Sequence, residues 1–201
     1  TVAFQGFGNV GYHCARLLYD AGYKIIAVSN ALGALYDPQG MNPHSVKEHE
    51  THHKTLEGAL THGKGQYITN DELLVLPVDI LVPAALGNVI VQENAHKIQA
   101  RVILELANGP ISPSADDVLE KKDIIVIPDI LANAGGVTVS YFEWVQNRSW
   151  DYWDLETVHR RLRKTMENET THVWNTKLEY GCDMRTASYI HALQRLTTSI
   201  E

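Results

Sequence analysis

Thr1-Val2-Ala3-Phe4-Gln5-Gly6-Phe7-Gly8-Asn9-Val10-Gly11 opens the chain and decides how the remainder is read. Val2 to Phe4 form a short apolar run, the pattern of a strand buried on both faces. Gly6, Gly8 and Gly11 follow in G-x-G-x-x-G spacing, and His13 to Tyr19 continue with a helical pattern. Strand, glycine loop and helix in this order have a physical use. The first glycine permits a tight turn, the second lets a pyrophosphate approach the backbone, and the third lets helix and strand pack closely. The helix then aims its free N–H groups at the phosphates. Without its flanks the glycine spacing would be an ordinary turn signal; with them it predicts dinucleotide binding.

Working outward, Tyr23 to Val28 form a second apolar run and complete a β-α-β unit. Asn30 then stands where such units carry an acidic residue for the ribose hydroxyls, about 20 residues past the loop. An amide can hydrogen-bond there, but it has no charge to repel a 2′-phosphate. NAD and NADP are therefore both open, and the nearest basic residues are His44 and Lys47.

Asp37-Pro38-Gln39-Gly40 reads as a turn, and Asn42-Pro43 as an N-cap with proline in the first helical position. A short strand is expected over 64–68 and a helix start near Leu73, favoured by Asp71 and Glu72. Further strands are expected over Val78–Val82, Arg101–Leu106 and Asp123–Ile127, with a helix capped at Ser112-Pro113 and another from Ile130 to Val145. Strands alternating with helices predict an α/β fold of Rossmann type, doubly wound around a mostly parallel sheet. Its strand ends carry small or amide residues: Ala84, Ala85, Asn108 and Asn133. Asp154–Leu178 and Arg185–Leu196 read as extra C-terminal helices. The expected division is a cofactor domain over 1–150, with helices 151–201 packing on it.

Composition narrows the function. The chain has 201 residues, a net charge of −7, 44% hydrophobic and 20% charged residues, so no basic field invites nucleic acid or an anionic membrane. No apolar run approaches the roughly 20 residues that span a bilayer. Two cysteines, Cys14 and Cys182, suit a reducing cytoplasm and read as packing residues. Thr1 lies at the start of the first strand, so the chain reads as part of a longer protein.

Four stretches together carry a resemblance. They are Gly6-Phe7-Gly8-Asn9-Val10-Gly11, Pro83-Ala84-Ala85-Leu86 with Asn88, Glu105-Leu106-Ala107-Asn108-Gly109-Pro110, and the run from Pro128 to Glu143; Arg185-Thr186-Ala187 adds to them. In this order they resemble the C-terminal cofactor domain of the glutamate/leucine/phenylalanine/valine dehydrogenases. Such enzymes oxidise an amino acid by hydride transfer to NAD or NADP, and water then releases ammonia. The resemblance implies that Gly6, Phe7, Gly8, Asn9 and Val10 hold the pyrophosphate. It puts Asn30 at the adenosine ribose, Ala84 and Ala85 along the adenosine side, and Asn108 and Asn133 beside the nicotinamide. Val137 and Ser140 fall at the substrate. A hydroxyl there suits the distal carboxylate of L-glutamate or 2-oxoglutarate, where relatives taking aliphatic substrates carry an apolar residue. Gly87 and Asn30 depart from the family's usual acidic residues. The family's catalytic lysines and aspartate belong to an N-terminal domain that nothing here matches, so these residues alone are expected to be inactive. That domain is also expected to carry homo-oligomer contacts.

Two patterns compete with this reading. His49-Glu50-Thr51-His52-His53 spells the H-E-x-x-H of zinc peptidases, but its flanks, Lys47, Glu48 and Lys54, predict a solvated helix with no metal. Phe142, Trp144, Trp150, Tyr152 and Trp153 form an aromatic cluster, expected to pack in a core or against an absent domain. The alternatives carried forward are a leucine-, valine- or phenylalanine-type dehydrogenase and a non-catalytic nucleotide sensor, with a zinc hydrolase behind both.

Overall fold

The structure, a computed structural model, describes residues 1–60 and 65–198. Its backbone divides into two compact units, Thr1–Ile125 and Val126–Glu201.

The first unit is organised on the opening strand, β1 (Val2–Gln5), whose residues are all buried. Beyond the glycine loop runs α1 (Asn9–Asp20), which buries Gly11 and Ala15. β2 (Ile25–Asn30) returns parallel to β1. Ala31 and Leu32 then turn the chain into β3 (Gly33–Tyr36), antiparallel to β2. This strand was not expected from the sequence. Its signal is Asn30, whose Oδ1 accepts the Leu32 N–H at 2.9 Å and so closes the turn locally.

α2 (Pro43–His53) starts as expected, with Asn42 Oδ1 accepting the His44 N–H at 2.9 Å. β4 (Gln66–Ile68) pairs antiparallel with β3; Lys64, the first residue of the expected strand, lies outside the described residues. α3 (Asn70–Leu74) opens on a capping box in which Thr69 and Glu72 satisfy each other's N–H groups. β5 (Ile80–Pro83) pairs parallel with β1 on the side away from β2, and β6 (Val102–Leu104) pairs parallel with β5. The short α4 (Gln92–Ala95) precedes β6, α5 (Pro113–Glu120) follows it, and β7 (Ile125–Ile127) comes next. Among the described residues the sheet has seven strands in the order β4-β3-β2-β1-β5-β6-β7.

That order fixes where a ligand can go. From β1 the chain moves outward through β2, β3 and β4, then crosses back to lay β5 on the other flank of β1. The connections after β1 and β5 therefore leave in opposite directions and part above the sheet, opening a crevice at the carboxyl ends of these two strands. Phe4, Phe7, Ile25, Val28, Leu56 and Val82 fill the core below it.

The second unit is helical. The expected helix 130–145 is broken into α6 (Asp129–Ala132) and α7 (Ala134–Ser149), with Asn133 between them at φ −96° and ψ 2°. α8 (Leu155–Tyr180) is capped by Asp154, whose side chain accepts the Thr157 N–H at 2.7 Å, and ends on Gly181 at φ 62°. α9 (Met184–Thr198) packs along it. Leu131, Val173, Met184 and Ala187 form the small core, and Arg185 Nη1 lies 3.3 Å from Asp129 Oδ1.

The aromatic cluster divides. Phe142 packs edge-on against Trp153, and the Arg161 guanidinium lies 3.8 Å from the Trp153 ring centre, while Tyr141 stacks on Trp144. Trp150, which ends α7 in the left-handed conformation at φ 56°, and Tyr152 are exposed. No helix among the described residues is long and apolar enough to cross a membrane.

Candidate functional site

The glycine loop is built by close approaches. Gly6 sits at φ +104°, and a Cβ there would lie 2.7 Å from Ala85 Cβ and 2.9 Å from Ala85 N. A Cβ on Gly11 would overlap the Gly6 carbonyl oxygen. Gly8 differs: a Cβ would meet nothing within 4 Å, so the space above it is open. Two of the three glycines are thus needed by the protein's own packing, and the middle one is not. Its lack of a side chain leaves room for something else to touch the backbone.

Neighbouring strands hold the loop in place. The Gly6 N–H donates to the buried Ser29 Oγ at 3.1 Å, and the Ala84 N–H donates to Gln5 O at 2.8 Å. Gly8 is the N-cap of α1, and no acidic side chain occupies the helix's first turn. The positive end of the helix is left for an external anion. Asn9 and Val10 are exposed in that first turn.

A cleft of about 940 Å³ opens here, within the size range of small-molecule sites. Gly6, Phe7, Gly8, Asn30, Ala84 and Ala85 all line it. Opposite them stand Lys47, already noted in the sequence as a nearby basic residue, and Glu50 and Asn70, which the sequence reading missed. Lys47 Nζ donates to Phe7 O at 3.0 Å and to Glu50 Oε2 at 2.7 Å. Glu50 Oε1 in turn accepts from Asn30 Nδ2 at 3.2 Å, and Asn70 Nδ2 donates to Asn30 O at 3.0 Å. Asn30 therefore reaches a carboxylate without being one. Glu50 supplies the negative charge from α2, partly neutralised by Lys47. The only sequence hint was the spacing of Lys47 and Glu50, which puts both on one face of a helix.

A nucleotide fits the donors and acceptors in this cleft. Among the described residues, the buried side-chain polar atoms without a partner are Gln5 Oε1 and Asn70 Oδ1, and both residues line the cleft. An orphaned buried acceptor costs roughly 1–3 kcal/mol, so a donor that reached either atom would stabilise this wall of the cleft.

The H-E-x-x-H pattern dissolves in three dimensions. His49 and His53 stack on each other at 4.2 Å. Their ring nitrogens contact backbone oxygens instead, His49 Nε2 that of Glu57 at 3.0 Å and His53 Nδ1 that of His49 at 3.1 Å. Glu50 is engaged by Asn30 and Lys47 in the cleft network.

Asn108 follows β6 on a loop tied to the one after β5. The Asn88 N–H donates to Gly109 O at 2.8 Å, and a Cβ on Gly87 would lie 3.0 Å from Asn108 O. Glycine at 87 lets the two loops come together, since a Cβ there would press on the backbone oxygens of Asn108 and Gly109. Asn108 is not among the residues lining the cleft. In the second unit, Asn133 occupies the break between α6 and α7 in the sparsely populated bridge region. Val137 and Ser140 lie on one exposed face of α7 with Tyr141 and Trp144, and Ser140 Oγ donates back to Gly136 O at 3.2 Å.

A glycine loop at the point where a parallel sheet reverses direction, open at its middle glycine and backed by a helix N-terminus, defines a Rossmann-type fold of the kind that holds dinucleotides. Comparison carries this further. The chain belongs to the Glutamate/Leucine/Phenylalanine/Valine dehydrogenase family, whose profile it matches over residues 1–201. It is 50% identical to the NADP-specific glutamate dehydrogenase of Synechocystis sp., over 100% of this chain and 48% of that protein. It is 49% identical to the glutamate dehydrogenase of Thermotoga maritima, over 98% of this chain and 47% of the relative. Its fold superposes on the hetero-hexameric glutamate dehydrogenase of Thermus thermophilus (Leu-bound form) with a TM-score of 0.89 and 29% identity, covering 97% of this chain and 45% of that one. The chain thus spans about half the length of these relatives.

Proposed function

We propose that this chain is the cofactor-holding half of a glutamate dehydrogenase, which oxidises L-glutamate to 2-oxoglutarate and ammonia with NAD or NADP. The observation that carries the reading is the open approach above Gly8, at the positive end of α1, on the wall of the cleft. The names of the relatives supply the substrate class.

In this reading the backbone from Gly6 to Val10 receives the pyrophosphate. Asn30, with Glu50 behind it, takes the adenosine ribose, and Ala84 and Ala85 offer small side chains along the adenosine. Bound nicotinamide accepts or gives a hydride at its ring. The amides of Asn108 and Asn133 fix which face of that ring is presented, since each can donate and accept. Val137 and Ser140 contact the substrate, with the Ser140 hydroxyl turning from Gly136 O to the distal carboxylate. None of the side chains assigned to the nicotinamide or the substrate is a proton-transfer group, so catalysis requires residues beyond this chain. Residues 1–150 then form the functional cofactor domain and 151–201 a helical addition to it, a division by role that differs from the two compact units. We place the enzyme in the cytoplasm as an oligomer of identical subunits assembled outside this half, binding neither nucleic acid nor membrane.

A leucine-, valine- or phenylalanine-type dehydrogenase is the competing reading, and Ser140 separates the two. The parent protein and its Ser140→Val variant should be assayed on glutamate and leucine. Glutamate is the better substrate by kcat/KM if the proposal holds, and the Ser140→Val change lowers that preference tenfold or more, about the cost of one mispaired buried polar group. Leucine preferred by the unaltered enzyme would sink the glutamate assignment.

A further inference from the structure

Outside the cleft, three metal-capable side chains converge. Glu169 and His172 stand one turn apart on α8, and His191 faces them from α9. Their ligand atoms all lie within 4.8 Å of one another, with Glu169 Oε2 and His191 Nε2 2.9 Å apart. The rings of His172 and His191 are 5.3 Å apart, centre to centre. We propose that these three residues form a binding site for a divalent transition-metal ion of the zinc class, clamping α8 to α9.

Three features support the assignment. Two imidazole nitrogens and one carboxylate oxygen match the borderline-soft donors that zinc-class ions take, whereas magnesium and calcium want oxygen throughout. The geometry is close to what is needed. A tetrahedral centre with bonds of about 2.0–2.1 Å sets its ligand atoms roughly 3.3 Å apart. The Glu169–His191 pair need open only slightly, and the exposed His172 can swing inward without moving either helix. Finally, Arg195 Nη1 holds Glu169 Oε1 at 2.8 Å, which fixes the carboxylate with Oε2 toward His191. An interhelical ion-pair cluster would explain Glu169, His191 and Arg195. It gives no part to His172, whose position beside the pair is what a third ligand requires.

Binding needs a bare Nε2: any proton there is released to solvent or carried on Nδ1 of the same ring, and the Nε2 and Glu169 Oε2 lone pairs then go to the metal. Solvent completes the coordination, so the ion is exchangeable.

The test is calorimetric titration of the 201-residue chain with Zn²⁺, with Co²⁺ as a visible-absorption probe of coordination. Expected are one equivalent of saturable binding and a Co²⁺ band of low-coordinate type. Both should weaken at least tenfold in His172→Ala and in His191→Gln. Should His191→Gln disturb helix packing, His172→Ala decides, because that side chain is exposed. The histidines of α2 are the control. A His49→Ala/His53→Ala double variant should bind as the unaltered chain does. Loss of binding in that double variant, undiminished binding in His172→Ala, or no saturable binding at all would overturn the site.

Discussion

The carbonyl oxygen of Gly6 occupies the place where a side chain on Gly11 would have to stand. The turn from β1 into α1 is tightest at that approach, and Gly6 itself is pressed against Ala85 across the switch point. The same contacts that close the loop on the protein side leave its other side open at Gly8.

Replacing Gly11 by alanine should therefore damage folding more than it damages any ligand contact. Overpacking of this kind costs about 1–3 kcal/mol, and here the neighbour is backbone, which cannot turn aside. Gly6→Ala should cost a similar amount through its left-handed φ and the contact with Ala85. Urea unfolding measures both; midpoints equal to that of the unaltered chain would mean that the loop is not packed as described.

Glu50→Gln tests how the ribose end of the cleft chooses its cofactor. The change leaves Asn30 a hydrogen-bonding partner but removes the carboxylate that neutralises Lys47. The lysine charge then favours a 2′-phosphate, and the repulsion from Glu50 is gone. The ratio of NADPH to NADH affinity should rise by roughly tenfold or more in competition titrations. An unchanged ratio would remove Glu50 from the site.

Much of the fold was legible in the sequence, since short apolar runs alternating with helical periods leave few arrangements. Asn42, Thr69 and Asp154 cap the helices that follow them through contacts within three residues, which local chemistry can specify. β3 escaped because Gly33 to Tyr36 is brief and its hairpin is closed by the Asn30 side chain rather than by a glycine turn. The site divided along the same line. Its glycines form a contiguous stretch, so they could be read, but Glu50 reaches the cleft by tertiary packing and was hidden inside an apparent metal motif. Gly87 gained its reason only when Asn108 O was found beside it.

Burial raises the Cys14 thiol to a pKa of about 11. Between the ordinary thiol value near 8.5 and that figure, the folded chain holds a proton that the unfolded chain releases, so stability falls as pH rises through this window. At pH 8 the thiolate of Cys14 should be about a hundredfold scarcer than that of an ordinary cysteine. Peptide mapping after brief iodoacetamide treatment of the folded chain should find Cys14 unmodified. Rapid alkylation there would mean that the strand–helix core opens easily.

Nicotinamide fluorescence during titration of this chain with NADH and with NADPH reaches the central claim most directly, when the unaltered protein and Gly8→Ala are compared. At least one cofactor should bind saturably with a dissociation constant below millimolar. Gly8→Ala should unfold at an unchanged urea midpoint yet bind at least tenfold more weakly, because its new methyl group meets only the ligand. Equal binding by both proteins, or none by either, would contradict a pyrophosphate resting on this loop.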